Sequence, residues 1–270
     1  MVVAVSANPH HLPQSIHILG IRLDALSSAQ ARKWLRSALR DPWDGCCRHF
    51  VTLNPEYVMA ARGDEAFARA IERADLVTAD GAGVVVAARL LYGERVDRVT
   101  GVELVEWLAE ESAVADAPLF FLGAGEGVAD ETMRRLTERF PGLRSAGTWS
   151  EGRPAPEYDE PALDRIESGG ARAVAVAYGA PGQVLWIERN RERLAERGVR
   201  VAIGVGGSFD YLSGTVQRPP AAVRRFGLEW LFRLVREPRR WRRQSVLPVF
   251  AFQVLIAATR NGLTGGAKQR

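Results

Sequence analysis

The sequence predicts an α/β fold in which a parallel sheet carries helices on both faces, followed by a helical C-terminal appendage. Short apolar segments alternate with helical patterns of about ten to fifteen residues, the pattern of successive βαβ units. Polar residues follow two of these segments directly. After Ser213 the strand pattern stops, and arginine and tryptophan become frequent. We therefore predict a doubly wound domain over residues 1–213 and an appendage over residues 214–270.

The elements of the first domain follow from apolar periodicity and from turn residues. Ser27 or Ser28 is expected to cap a helix that runs to about Leu39, and Asp41-Pro42 ends this first βα unit. The remaining helices are predicted at residues 82–91, 102–110, 128–140, 161–168 and 184–197. Strands are predicted at residues 16–23, 50–53, 76–78, 118–122, 142–148, 173–178 and 199–205.

The appendage is predicted to form two basic helices, at residues 221–236 and 239–258. From Arg218 to Arg243 the sequence has nine arginines against two acids, Glu229 and Glu237. Such a charge excess suits a diphosphate or an anionic membrane surface, although a solvated helix face would look the same. Trp230 lies on an apolar stripe flanked by arginines, which is typical of an interfacial helix but also of a helix docked on a sheet.

The composition indicates the cellular compartment of the protein and the classes of partner to expect. The formal net charge is +4, and we expect no nucleic-acid partner. Cys46 and Cys47 are adjacent and cannot form an ordinary disulfide framework, which favours a reducing compartment. The N-terminal segment lacks the features of a secretory signal. The longest apolar run, residues 246–258, is shorter than the roughly 20 residues of a spanning helix. These features predict a cytoplasmic protein without a transmembrane span.

The candidate catalytic residues follow two predicted strands. Thr52 and Asn54 lie at the end of the segment at residues 50–53, and Asp80 follows the segment at residues 76–78. Because ligands bind at the carboxyl ends of parallel strands, we expect these three side chains to converge on one site. Asp80 is the candidate general base. A helix N-cap is the alternative role for Asp80, and turn formation ahead of Pro55 is the alternative for the other two.

Three loops are candidates for binding substrate. Gly123 and Gly125 belong to a glycine-rich turn between a strand and a helix, which suits a phosphate but also a merely tight turn. Its spacing is not that of the dinucleotide fingerprint, since Val128 stands at the third glycine position, and this weakens a nicotinamide-dependent oxidoreductase. Gly206 lies in a second glycine cluster, and Gln183 ends the loop Tyr-Gly-Ala-Pro-Gly-Gln.

Several other kinds of site are disfavoured. The histidines at positions 10, 11, 17 and 49 have no neighbours with metal-ligand spacing, and no Asp-x-Asp pattern occurs. The sequence also has neither a G-x-S-x-G elbow nor a Walker lysine loop. We expect no metal site, and we exclude the serine hydrolases of that type and the P-loop NTPases.

Seven motifs in order along the chain resemble the family 26 glycosyltransferases, which include the N-acetylmannosaminyltransferases of teichoic-acid linkage and enterobacterial common antigen synthesis. The resemblance covers about residues 18–250. The motifs are VTLNPEYV, ADLVTADGAGVV, RVTGVEL, FFLGAGEGVA, AYGAPGQ, GVGGSFDYLSG and GLEWLFRLVREPRRWRR.

The resemblance implies an inverting transfer, without metal or cofactor, of a sugar from a UDP donor to a saccharide on undecaprenyl diphosphate. It implies a Rossmann-like domain whose appendage reaches the inner face of the cytoplasmic membrane and completes the site. Asp80 matches the proposed base, and Thr52 and Asn54 match polar positions of the active site. Arg98 and Gln183 match residues near the substrates. Arginines of the appendage would meet the diphosphate charge, with Arg218, Arg233 and Arg236 as candidates.

One departure from the family bears on the donor. Val184 follows Gln183 where the family typically has a glutamate that could hold a sugar hydroxyl. UDP-N-acetylmannosamine is the leading donor, and another UDP-hexose or a uronic acid is the alternative. A non-catalytic module that binds a nucleotide sugar is a second class of function. Helix faces alone do not separate a membrane face from a subunit interface, so a homo-oligomer stays open.

Overall fold

The protein is an α/β structure built on a six-stranded, fully parallel sheet, in the computed structural model that describes residues 14–220, 223, 227, 229–236 and 241–265. Along the sheet the strand order is β4-β3-β8-β7-β5-β6. Its strands are β3 (Arg48–Leu53), β4 (Leu76–Ala79), β5 (Leu119–Gly123), β6 (Ser145–Trp149), β7 (Ala173–Ala177) and β8 (Val201–Gly204).

Helices cover both faces of the sheet, as the sequence predicted. Phe50 of β3 packs among the helices of one face, and its neighbours Val51 and Leu53 pack on the other. This alternation buries the strands on both sides, which is why they are almost wholly apolar. The first face carries α1 (Ser28–Arg40), α5 (Gly101–Ala115), α6 (Val128–Arg139) and α9 (Ser208–Leu212). The second face carries α2 (Pro55–Ala61), α3 (Glu65–Glu72), α4 (Ala82–Tyr92), α7 (Asp159–Ser168) and α8 (Gly182–Glu196).

The single strand predicted at residues 16–23 is wrong. The chain reverses at Leu19 and Gly20, whose φ angles are 51° and 90°, and forms an antiparallel hairpin outside the main sheet. Its strands are β1 (Ser15–Ile18) and β2 (Ile21–Asp24). The Asp24 carboxylate accepts the backbone N–H of Val77 on edge strand β4 at 2.9 Å, so the hairpin flanks that edge. Leucine is an unusual residue for a left-handed turn position, so the sequence pattern does not predict this reversal.

The C-terminal part contains three described helices, α10 (Glu229–Arg236), α11 (Trp241–Gln244) and α12 (Val246–Gly265). The helix predicted at residues 239–258 is thus broken at Ser245. The helix predicted at residues 221–236 is interrupted at Gly227, a turn residue with a φ of 69°. Residues 221–222, 224–226, 228 and 237–240 lie outside the described residues, and the division at residue 213 stays a prediction. On its inner side α12 buries Phe250 and Val254 in the cluster that contains α2 and α4. Among the described residues, no helix combines the length and the hydrophobicity that a membrane crossing requires.

Candidate active site

A cavity of about 1020 Å³ opens at the carboxyl ends of β3, β4 and β8. Its inner end is polar and is lined by residues of the sheet-edge loops, among them Thr52, Asn54, Asp80 and Gln183. The C-terminal helices close the other side. The cavity therefore lies where a parallel sheet is expected to bind its ligand, and it brings the three candidate catalytic residues together.

Asp80 lies at the first position after β4, next to the end of β3. Its backbone N–H donates to the Leu53 carbonyl at 2.7 Å, which holds the two strand ends side by side. The backbone N–H of Gly101, the first residue of α5, lies close to the carboxylate of Asp80 and favours its charged form. Asp80 is not the N-cap of the helix that follows it, because Gly81 occupies that position and α4 has no side-chain cap. The helix-cap role considered for Asp80 is therefore wrong.

The surroundings of Asp80 disfavour its ionised form. Burial is the largest cause and, with the negative charge of Glu229, raises the pKa of Asp80 to about 7. The positive charge of Arg98 and the Gly101 N–H act in the opposite direction, and Glu103 adds a smaller upward effect. A carboxylate with a pKa near neutrality can take up a proton more readily than an ordinary aspartate, which is what a general base requires.

Thr52 and Asn54 lie beside Asp80 and also have structural partners. Thr52 is buried, with its hydroxyl 3.4 Å from the Gly204 carbonyl of the neighbouring strand. Asn54 caps α2, since its side-chain oxygen accepts the Tyr57 N–H at 2.9 Å. The structural role of Asn54 is thus a helix cap, and the residue still lies at the cavity wall. Thr52 lies within β3, so the turn-forming role considered for it is wrong.

Gln183 joins three loops at the inner end of the cavity. Its side-chain oxygen accepts the N–H of Gly179 at 3.1 Å and the N–H of Gly206 at 2.9 Å. Its amide nitrogen donates to the Tyr57 hydroxyl at 2.6 Å. Burial, followed by the nearby Asp80 charge, raises the pKa of Tyr57, so this hydroxyl stays protonated. Gln183 therefore fixes α2 and the loops after β7 and β8 relative to one another.

The residue after Gln183 does not reach the cavity. Val184 is fully buried in the core cluster that contains α2 and α4. A glutamate at this position would point into apolar surroundings, so in this chain the position gives no direct evidence about the donor sugar.

Arg98 approaches the site through a short extension of the sheet. It forms an isolated parallel bridge with Ala79, and the next residue, Val99, donates its N–H to the Ala79 carbonyl at 2.8 Å. The guanidinium of Arg98 pairs with Glu229 of α10 at 3.2 Å. Arg218 lines a small side pocket of about 40 Å³ together with Arg98 and Glu229. Two of the predicted phosphate-binding arginines are thus close to each other.

The glycine candidates separate into two places. Gly206 lines the cavity and has a φ of +52°, with its N–H held by Gln183. Gly123 is the last residue of β5 and Gly125 follows the strand, and neither is among the residues lining this cavity. Gly123 instead lies against Tyr178 and Ala177, where a Cβ atom would come within 2.8 Å of the tyrosine ring. The tight-turn explanation accounts for Gly123.

The other arginines of the appendage differ in where they lie. Arg236 donates to the side chain of Gln217 at 3.1 Å and stacks over the Phe232 ring. The side chain of Arg233 lies outside the described part of the chain. Arg243, which the sequence did not single out, lines the cavity and pairs with Glu56 at 2.8 Å.

The outer end of the cavity is apolar. Its walls come from α4, α10, α11 and α12. Several of the lining side chains are also largely exposed, namely Val86, Leu90, Trp230, Trp241 and Leu255. A polar inner end and an apolar mouth together suit a ligand with a charged head and an apolar tail.

Sequence reasoning missed Tyr57, Gly101 and Glu229 at this site. Gly101 carries a recognisable signal, because Thr100 and Glu103 form a capping box that marks the start of α5. At Gly101 a Cβ atom would lie 2.6 Å from the Ser208 hydroxyl oxygen, so a larger residue would separate α5 from the loop after β8. Glu229 had no signal of its own among the surrounding arginines.

Among the residues that the structure describes, no cluster of three or more His, Cys, Asp or Glu side chains is arranged to hold a metal ion.

Comparisons with known proteins agree on one relationship. The family model described as "Glycosyl transferase WecG/TagA/CpsF family" matches residues 16–263. A curated protein of Bacillus spizizenii, N-acetylglucosaminyldiphosphoundecaprenol N-acetyl-beta-D-mannosaminyltransferase, is 35% identical over 205 residues. The matched region covers 76% of this chain and 77% of the relative.

Proposed function

The chain belongs to the WecG/TagA/CpsF family of glycosyl transferases, and we propose that it extends a lipid-linked saccharide from a UDP-sugar. The proposed donor sugar is N-acetylmannosamine, and the proposed acceptor is a saccharide on undecaprenyl diphosphate used for a surface polysaccharide. The activity for which the Bacillus spizizenii relative is named supports both assignments. The chain is accordingly a hexosyltransferase.

The observation that carries the mechanism is the position of Asp80. It lies in the polar end of a large cavity, and burial and Glu229 raise its pKa to about 7. In the proposed reaction an acceptor hydroxyl oxygen attacks the anomeric carbon of the donor, and its proton passes to the Asp80 carboxylate. The bond between that carbon and the UDP oxygen breaks, and UDP takes the electron pair. Attack from the side opposite UDP inverts the configuration at this carbon.

The departing UDP needs positive charge or N–H donors near its diphosphate. Arg98 and Arg243 line the cavity and supply charge, each at present paired with a carboxylate, Glu229 or Glu56. The amino terminus of α4 also faces the cavity through Gly81 and Ala82 and has no side-chain cap. Such a terminus favours an anion. These groups support a transfer in which protein side chains and backbone neutralise the leaving group without a metal.

The proposed location is the inner face of the cytoplasmic membrane. Exposed apolar side chains cluster on the C-terminal helices, with Val235 at 71%, Phe252 at 64% and Trp241 at 60% exposure. Arginines lie on the same helices, and an apolar face flanked by basic residues binds anionic lipid surfaces. The carrier lipid of the proposed acceptor resides in that surface.

The proposal is tested by UDP release from a panel of UDP-sugars, with and without an N-acetylglucosaminyl diphospholipid acceptor. We expect acceptor-dependent release with UDP-N-acetylmannosamine. Release with a different UDP-hexose or uronic acid would correct the donor and retain the reaction. UDP binding without release from any donor, across a widened acceptor panel, would instead indicate a binding module.

A further inference from the structure

The outer half of the cavity is a groove between α4 of the α/β domain and α12 of the C-terminal part. We propose that this groove binds the head-proximal part of the acceptor's isoprenoid chain, which is thereby held by the protein and not only by the membrane. This inference rests on the proposed function for the identity of the ligand. The groove itself is defined by its lining residues.

The packing of α12 against α4 fixes the positions of the two walls of the groove. Phe250 and Val254 on its inner side are each 4% exposed and lie in one cluster with Val84 and Ala87 of α4. Leu255 follows directly after Val254, lines the cavity and is 56% exposed. The inner side of α12 thus fixes the helix, and the adjacent side opens on the groove.

The α4 wall has the same character. Val86 and Leu90 are one helical turn apart, both line the cavity, and they are 53% and 51% exposed. Side chains that line a cavity and remain half exposed lie at its mouth. Trp230 and Leu234 of α10 supply a third apolar side.

Charge is confined to the other end of the cavity. In the described part of the chain, the charged residues lining the cavity are Glu56, Asp80, Arg98, Glu229 and Arg243. None of them belongs to α4 or α12. The sequence of α12 has no charged residue from Val246 to Thr259, and Arg89, the single charged residue of α4, does not line the cavity.

This arrangement selects one kind of occupant. A free nucleotide sugar would leave the apolar half of the cavity in contact with water, and an apolar helix from another protein would leave the charged end unmatched. A diphosphate attached to an isoprenoid chain matches both ends, because its anionic head meets Arg98 and Arg243 while its chain covers Leu90 and Leu255. Burying the chain removes apolar surface of both partners from water.

The test compares the binding of two diphosphates with the same head group, farnesyl diphosphate and hexyl diphosphate, by calorimetry. It uses the full chain without vesicles and concentrations at which neither probe forms micelles, so membrane docking does not contribute. We expect farnesyl diphosphate to bind at least about tenfold more tightly than hexyl diphosphate. The variants Leu90→Ser and Leu255→Ser should each reduce this preference about fivefold or more.

Val114→Ser is the matched control. Val114 is 65% exposed on α5 and does not line the cavity, so this variant should keep the full preference for the longer chain. Equal binding of the two probes by the unchanged protein would overturn the inference, as would a preference that survives both groove substitutions. Loss of a dimer in Leu90→Ser, without any chain-length preference, would identify the groove as a subunit interface instead.

The inference and the proposed function fail in different ways. Absence of transfer from every UDP-sugar would contradict the proposed function. A preference for farnesyl diphosphate that depends on Leu90 would still show that the groove binds an isoprenoid chain. If transfer does not depend on the length of the acceptor chain and the two probes bind equally, the groove does not bind the isoprenoid chain. The proposed transfer reaction would still stand.

Discussion

The two halves of the cavity are built in different ways. At the inner end, the polar groups are fixed by the sheet and by hydrogen bonds from the backbone, as when the N–H groups of Gly179 and Gly206 donate to the side-chain oxygen of Gln183. At the outer end, the C-terminal helices are attached by the buried side chains of α12 and by two ion pairs, Arg98–Glu229 and Arg243–Glu56. In the proposed function, the reacting groups thus lie at the sheet edge, and the lipid chain contacts the C-terminal helices.

Glu229 connects the two halves. It belongs to α10, yet it pairs with Arg98 and raises the pKa of Asp80. The basicity of the sheet-edge carboxylate therefore depends on the docking of a C-terminal helix. Substitutions in each half should have separable effects, and these effects can be ranked.

The largest effect is expected at the inner end. Asp80→Asn should lower kcat by about a thousandfold, because a general base typically contributes between a hundredfold and ten-thousandfold. UDP binding, measured by calorimetry, should persist. Unchanged turnover would show that Asp80 is not the base.

The same variant has a predicted effect on stability. The pKa of Asp80 is raised in the folded protein, so its contribution to stability is fully present below the ordinary aspartate pKa and is lost as pH rises through about 7. Asp80→Asn should therefore raise the Tm at pH 8 and leave it nearly unchanged near pH 4. Thermal unfolding at the two pH values measures this difference.

The next effect concerns the junction at Gln183, where its side chain connects α2 with the loops after β7 and β8. Gln183→Leu removes the acceptor for two backbone N–H groups and the donor to Tyr57. Leaving such buried groups unpaired should lower the free energy of unfolding by about 3 kcal/mol. Gln217→Leu, at an exposed residue, should change it by less than about 0.5 kcal/mol in the same denaturant titration. Equal losses in both variants would contradict the role of the junction.

Two phenylalanines of α12 test the attachment of the outer half. Phe250→Ser should lower the free energy of unfolding by about 3 kcal/mol and reduce transfer to a lipid acceptor, because the buried ring holds α12 on the domain. Phe252→Ser, two residues along and 64% exposed, should leave stability within about 0.5 kcal/mol. Similar stability of the two variants would show that α12 is not held by its inner side.

The smallest effect is a shift in pH dependence. Glu229→Gln removes a negative charge near Asp80, so the pKa of Asp80 should fall, and the acid limb of kcat should move to lower pH by up to about one unit. Glu192→Gln, at an exposed position on α8, should leave the limb in place. An identical pH profile in the unchanged protein and in both variants would show that Glu229 does not affect the pKa of the general base.

The sequence predicted those parts of the molecule that depend on local patterns. Apolar segments of β3 and β4 followed by Thr52, Asn54 and Asp80 were enough to predict one site, because parallel neighbouring strands end at the same edge. The hairpin at Leu19 and Gly20 was missed because it depends on an uncommon left-handed leucine. The break at Ser245 lies in a stretch whose composition is helical on both sides.

The contacts of the site were less predictable because they join distant parts of the chain. Glu229 approaches Asp80 only when α10 packs on the domain, and no local pattern in an arginine-rich stretch distinguishes that carboxylate. Tyr57 and Gln183 lie 126 positions apart and meet through the packing of α2 against the loop after β7. Gly123 and Gly125 had the composition of a phosphate loop, yet strand order places them beside β7 and not at the cavity.

One side chain at the inner end also links the motions of two loops. Gly179 and Gly206 share the side-chain oxygen of Gln183 as acceptor, so neither amide hydrogen can exchange with solvent until that side chain moves or its own loop opens. Motion of Gln183 releases both at once. Hydrogen exchange at these two amides should therefore be slow and should have a common opening rate, and a ligand that immobilises either loop should slow exchange in the other.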